Sequence, residues 1–257
     1  MNQNHGKFVW YDLMTTDPRA AEAFYKSVVG WDTKDSGMTD RLYTILSVGP
    51  SMVGGIMPIP KEARDSGARP GWNGYVGVDD VDKYAERVKA AGGIVHRKPE
   101  DIPGIGRFAV VADPHGAVFL LFTGMGEQPV KETCMGKLGE IGWHELHAGD
   151  PDADFNFYST LFGWTKDQAL DMGDMGIYQL FKTGGDTAVG GIMKKMPDSP
   201  GPFWLYYFTV KGIDAAAERV KKAGGKILHG PSQVPGDAWI LKCVDPQGAV
   251  FAMVGSR

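Results

Sequence analysis

The chain has 257 residues, 43% of them apolar and 23% charged, which is ordinary globular composition and enough for one large or two ordinary domains. Its formal net charge of −4, with no basic run interleaved with aromatics, excludes a general attraction for nucleic acid or an anionic membrane surface. With two cysteines, no apolar signal core in MNQNHGKF and no run of about 18 apolar residues, it reads as a cytoplasmic protein with unpaired thiols at Cys134 and Cys243.

Phe8 to Thr16 reads as a strand ending at Asp17-Pro18, a helix start with a side-chain acceptor and then a residue of fixed φ without an N–H. The helix runs to about Val29 and buries Ala21, Phe24, Tyr25 and Val28. Leu42 to Val48 and Met52 to Ile59 are two strands around a Gly49-Pro50-Ser51 turn. The second contains Gly54-Gly55, a pair that marks a bulge, a close approach by other backbone or a ligand, or close packing alone. Pro60 to Trp72 reads as a loop, and Asn73 opens a new unit. A helix over Val81 to Ala91 buries Val81, Tyr84, Ala85 and Val88, and a last pair of strands is joined by the turn Asp113 to Gly116.

The same order then recurs. Trp143 to Trp164 matches Trp10 to Trp31 at nine of 22 positions, 133 residues apart. Gly190-Gly191 repeats Gly54-Gly55, AERVKKAGG repeats AERVKAAGG with one change, and Asp245 to Gly248 repeats the turn. The chain is therefore a tandem repeat, with domains over 1–124 and 140–257 and a linker over 125–139. Each half holds two strand–helix–strands units, four βαβββ units in all. This is an α+β fold of curved sheets with helices on one face and a cavity on the other.

The paired Asp-Pro, Phe-Tyr and Gly-Trp motifs, with the two DP-x-GAVF turns, resemble the vicinal oxygen chelate superfamily. That superfamily includes glyoxalase I, bleomycin- and fosfomycin-resistance proteins and extradiol dioxygenases. The paired WxxL…DP…FY…GW form resembles its tandem group, often labelled hydroxylase or glyoxalase-like. The resemblance implies a divalent metal held by His, Gln or Glu at set places, which fall here on Trp10 and Trp143, about Asn73 and Leu205, and Leu120 and Ala252. None is a His or a carboxylate, and indole, alkyl and methyl groups cannot hold a hard or borderline divalent ion, so no cofactor is expected, with a divalent metal on displaced ligands as the alternative.

The resemblance further implies that the first strand of each half lines the cavity. Trp10, Asp12 and Met14 then form one wall and Trp143, Glu145 and His147 another, with Asn73, Tyr75 and Tyr207 on neighbouring strands as binding residues. Glu145 and His147, two apart on one strand face, are the candidate catalytic pair, as base and orienting partner. His144 faces the opposite side, His115 reads as a solvated turn residue and His5 as part of a disordered terminus. Met52, Met57, Met172, Met175 and Met193 are expected to fill core gaps or a pocket wall.

Three functions follow as expectations. The first is small-molecule binding or metal-independent small-molecule chemistry. The second is a metal-dependent glyoxalase, lyase, dioxygenase or hydroxylase with displaced ligands, Asp12, Glu145 and His147. The third is a scaffold or interaction protein. The expected partner is a small-molecule ligand, with no nucleic acid and no membrane. Intrachain pairing of the repeats permits a monomer, and a homodimer is equally allowed.

Overall fold

The computed structural model describes residues 3–39, 41–126 and 137–257. The first repeat runs β1 (Phe8–Thr15), α1 (Pro18–Val28), β2 (Asp32–Asp35), β3 (Thr44–Val48), β4 (Ser51–Pro58), α2 (Lys61–Asp65), β5 (Gly71–Gly77), α3 (Val81–Ala90), β6 (Ile94–Ile102), β7 (Gly106–Ala112) and β8 (Val118–Gly124). The second runs β9 (Ile141–Ala148), α4 (Pro151–Phe162), β10 (Thr165–Asp171), β11 (Ile177–Lys182), β12 (Gly190–Lys194), β13 (Phe203–Thr209), α5 (Ile213–Lys222), β14 (Lys226–Val234), β15 (Ala238–Val244) and β16 (Val250–Gly255). Each repeat forms one curved eight-stranded sheet, ordered β2-β3-β4-β1-β5-β8-β7-β6 and β10-β11-β12-β9-β13-β16-β15-β14.

The helices form where the periodicity places them. Asp17 caps α1 by accepting the Ala20 N–H, and Asp150 caps α4 by accepting those of Asp152 and Ala153. Both helices carry proline in their first turn, and Ala21, Phe24, Tyr25 and Val28 are the buried face of α1 as expected. One expectation needs correction. Pro60 to Trp72 is not all loop: it contains α2, and Trp72 is a buried member of β5. The strand that each βαβββ unit needs after its helix, β2, β6, β10 or β14, was implied but not located, because these strands are largely exposed and rich in charged and polar residues, without the alternation that marks a half-buried strand. Most of the 125–139 linker, with Cys134, lies outside the described residues.

The chain divides into two compact units, one of Met1–Trp10, Gly74–Glu132 and His144–Trp204, the other of Tyr11–Asn73, Thr133–Trp143 and Leu205–Arg257. Each unit thus takes elements from both repeats. The sequence motifs explain why. In the first unit the hydroxyl of Tyr158, from the second repeat's Phe-Tyr pair, donates to Asp113 of the first repeat's turn at 3.1 Å, and accepts the Trp204 indole N–H at 3.0 Å. In the second unit Tyr25 donates to Asp245 at 3.1 Å and accepts from Trp72 at 2.9 Å. The Gly-Trp tryptophans act in the same way: Trp164 donates to the Gly6 carbonyl at 2.7 Å and Trp31 to that of Gly139 at 2.6 Å. The duplicated motifs therefore join half of one repeat to half of the other.

His144 belongs to the core of the first unit. Its ring stacks on Phe8 at 4.0 Å and donates from Nδ1 to the Val189 carbonyl at 2.8 Å. Burial lowers its pKa to about 4. The folded protein holds the ring neutral, while an unfolded chain takes up a proton near about 6.5. Stability from this residue is complete above about pH 6.5, declines as the pH falls towards 4 and is flat below, a total of up to about 3 kcal/mol. Denaturant titrations across that range are expected to show this slope in the wild type and its loss in His144→Phe.

Candidate functional site

On β9, alternation sends His144 to one face, against Phe8, and turns Trp143, Glu145 and His147 to the other. Glu145 and His147 are both buried. One carboxylate oxygen, Glu145 Oε2, accepts the Tyr178 hydroxyl at 3.1 Å. The other, Oε1, lies 2.8 Å from His147 Nε2. Despite that distance, Nε2 makes no well-directed hydrogen bond within the described residues. Phe203 lies face to face with the imidazole, ring centres 4.5 Å apart and planes 4° from parallel. One face of the ring is thereby covered.

Gly191 explains how Tyr178 reaches the carboxylate. It sits directly beside Glu145 in the parallel β12–β9 ladder, and a Cβ there would stand 2.2 Å from the Tyr178 ring. Only a glycine lets the phenol lie across the strand. The first repeat has the same device. Gly55 pairs with Asp12, a Cβ at Gly55 would meet Tyr43, and the Tyr43 hydroxyl donates to Asp12 at 2.7 Å. The glycine pairs expected to mark a close approach thus accommodate these tyrosines, which sequence reasoning missed. The first repeat lacks the rest of the set: Met14 stands where His147 does, and Gly71 where Phe203 does.

The other predicted residues divide by unit. In the first, Trp10 packs against a cluster of Tyr75, Phe108 and Leu120, with Val9, Ile102, Val110 and Phe122 around it. Trp143, assigned to the second unit, is half-buried. In that unit Asp12 is buried, Met14 is half-buried, the Asn73 amide donates to the Gly71 carbonyl at 3.3 Å, and Tyr207 is buried beside Ala252 in the β13–β16 ladder.

Several expectations are corrected. His115 is exposed in its turn as expected, but its Nδ1 also lies 2.6 Å from the fully buried Asp154 carboxylate. His5 is ordered, with Nε2 hydrogen-bonded to the Tyr84 hydroxyl at 3.2 Å. Met193 is buried, but Met52, Met172 and Met175 are exposed and fill no core gap. Cys243 is buried, which pushes its thiol up to about 12.

Comparison with known proteins gives the lineage. The profile of the Glyoxalase/Bleomycin resistance protein/Dioxygenase superfamily matches residues 7–121 and 140–253. The chain belongs to that superfamily. It is 34% identical to a Mycobacterium tuberculosis protein named "Putative glyoxylase CFP32", over 95% of this chain and 93% of that one. It is 30% identical to anthracycline biosynthesis protein DnrV of Streptomyces peucetius, over 98% and 94%. Among solved structures, the Mn(II)-bound glyoxalase from Novosphingobium aromaticivorans shares the fold, with a TM-score of 0.62 at 18% identity over 97% of this chain and 81% of that one.

The superfamily's usual metal does not fit the residues at its usual places. Trp10 and Leu120 belong to one apolar cluster, and Leu205 and Ala252 are buried and carry no donor. Among the described residues, no group of three or more His, Cys, Asp or Glu is placed to hold an ion. Glu145 and His147 are two donors where a stable site needs three or four.

Proposed function

We propose that the second repeat carries a small-molecule site whose chemistry runs on Glu145 and His147 rather than on a chelated metal. The observation that carries this reading is the buried Glu145 carboxylate, held on one oxygen by Tyr178 and faced on the other by an imidazole nitrogen with no protein hydrogen bond. A buried nitrogen without a well-directed hydrogen bond is costly, and on this reading a ligand supplies one. Tyr178 fixes the carboxylate so that Oε1 is the oxygen that meets a substrate proton. His147, held in plane by Phe203, supports the developing charge or passes the proton on. The names of the relatives, a glyoxylase and an anthracycline biosynthesis protein, support a small organic substrate. Each unit draws on both repeats of one chain, which supports a monomer.

The test has two arms. Metal content is measured on untagged protein, and thermal shift follows with Mn²⁺, Ni²⁺, Zn²⁺ and Fe²⁺, where a ligand at 100 times its Kd stabilises by about 2.7 kcal/mol. No stabilisation that depends on Glu145 is expected. A stoichiometric ion lost in both Glu145→Gln and His147→Ala would overturn the reading in favour of displaced ligands. In the second arm, Gly191→Ala is expected to displace Tyr178 and weaken binding of small organic fragments about tenfold, with an overpacking cost of about 1–3 kcal/mol. Unchanged fragment affinity in Gly191→Ala would remove Tyr178 from the site.

A further inference from the structure

The two units differ at three positions that meet in space, and the difference lies at the end of the strand bearing Glu145 and His147. In the second unit the fourth residue of α1 is Ala21, the turn residue is Gln247, and Thr16 precedes the helix cap. In the first unit the corresponding residues are Asp154, His115 and Gly149. The three changes depend on one another. Asp154 is fully buried, and its Oδ1 lies 2.6 Å from His115 Nδ1. A Cβ on Gly149 would stand 2.6 Å from His115 Cβ and 2.7 Å from its Cγ, so the His115 side chain lies directly over this glycine.

Asp154 also holds the backbone that leads out of the site. Its Oδ2 accepts the N–H of Gly149 at 3.1 Å and lies 3.4 Å from that of Asp150. Gly149 is two residues beyond His147. The second unit makes the same capped helix and turn with an alanine and a glutamine, so the ion pair is not needed for the fold of this junction. It adds a charge-dependent contact.

We propose that His115 and Asp154 form a proton-controlled latch on the β9–α4 junction, which sets the position of His147 in the site proposed above. This rests on that reading for its functional meaning, but the latch itself is observable without a substrate. With His115 charged, the buried Asp154 carboxylate has its counter-charge and holds Gly149. When His115 loses its proton, the carboxylate is left buried with hydrogen bonds but no cation, and the junction loosens. The groups facing His115 are Asp154, Asp113 and Asp150, all acidic. The hydrogen bond to Asp154 raises the His115 pKa above its usual value, against the opposing effect of burial. Burial, then the Asp154 charge, raises that of Asp113. The stabilisation is therefore complete below about pH 6.5 and lost as the pH rises through the raised value.

The test is a pH titration of the histidine ring signals by NMR in full-length protein without added ligand, beside a thermal melt at each pH. In the wild type, the His147 ring signals are expected to move in step with the titration of His115, and the melting temperature to fall by roughly 2–4 °C through that step. In His115→Gln/Asp154→Ala, which installs the pair that the second unit already carries, both effects are expected to vanish while the fold is retained. His115→Gln alone, leaving Asp154 without its cation, is expected to melt below the double variant. The latch is overturned if the coincident step persists in the double variant, or if His115 titrates without any response at His147. A latch that titrates as expected in a protein that binds no fragment would sink the site reading and leave the latch standing.

Discussion

Replacing Trp164 by alanine is expected to destabilise the protein by about 3–5 kcal/mol, as for a large aromatic removed from a packed core. Trp164 is 1% exposed. Its ring is stacked between Phe181 at 4.5 Å and Tyr158 at 5.0 Å, and its edge touches Trp204. These partners are themselves large and fully or almost fully buried, so the site cannot collapse onto the cavity. The change also removes the donor to the Gly6 carbonyl, which ties the segment before β1 to the second repeat's half of the first unit. Trp164→Phe keeps the stacking and loses the hydrogen bond, and is expected to cost about half as much. Denaturant unfolding of the two variants measures the difference. A loss below about 1 kcal/mol in the alanine variant would show that this aromatic stack does not hold the half-repeats together.

A comparable effect is expected at a position with no apolar surface to lose. Asp113 Oδ1 accepts three backbone N–H groups of its own turn, those of His115, Gly116 and Ala117, at 2.8–3.0 Å. Its Oδ2 accepts the Tyr158 hydroxyl, which in turn accepts the Trp204 indole. Asp113→Ala leaves the buried hydroxyl and the turn donors without an acceptor, at about 1–3 kcal/mol for each group that finds no water. A total of about 3–5 kcal/mol is expected. Asp113→Asn keeps one oxygen for the turn, but turns an amide N–H₂ towards a hydroxyl that already accepts from Trp204, so an intermediate loss is expected. The second unit supplies a control, since Asp245 accepts from its turn and from Tyr25 in the same way. Parallel losses at Asp113 and Asp245, read from chemical denaturation, would show that the duplicated turn is the fastening of each unit. A change of less than about 1 kcal/mol at either would refute it.

Much of this was legible from the amino acids. The repeat announced itself through Asp-Pro, Phe-Tyr and Gly-Trp, and helix starts, buried helix faces and the DP-x-G turns all lie where these residues place them. What the motifs do was not legible. Tyr158 and Asp113 are 45 residues apart and Tyr25 and Asp245 220 apart, and no local spacing expresses a bond between different repeats. The edge strands escaped because a strand such as Asp32–Asp35 buries too little to show an alternating pattern.

The site shows the same limit. The closeness of Glu145 and His147 was readable because they share one strand face. Tyr178 was not, because it reaches Glu145 from 33 residues away across an intervening strand. Gly191 was the one signal, and it says that something presses on the strand without saying what. Phe203, at the first position of β13, lies 56 residues from His147 in a stretch with no motif that places its ring there. The pairing of His115 with Asp154 was visible only as two unrelated differences between the repeats.

The most direct test of a metal-independent site on Glu145 and His147 is an NMR fragment titration of the protein in excess chelator, watching the His147 ring. Small organic fragments are expected to shift the His147 signals with the metal chelated, and Glu145→Gln to weaken them about tenfold or more. His147 signals that stay fixed until a divalent ion is supplied, or that never move with any fragment, would contradict it.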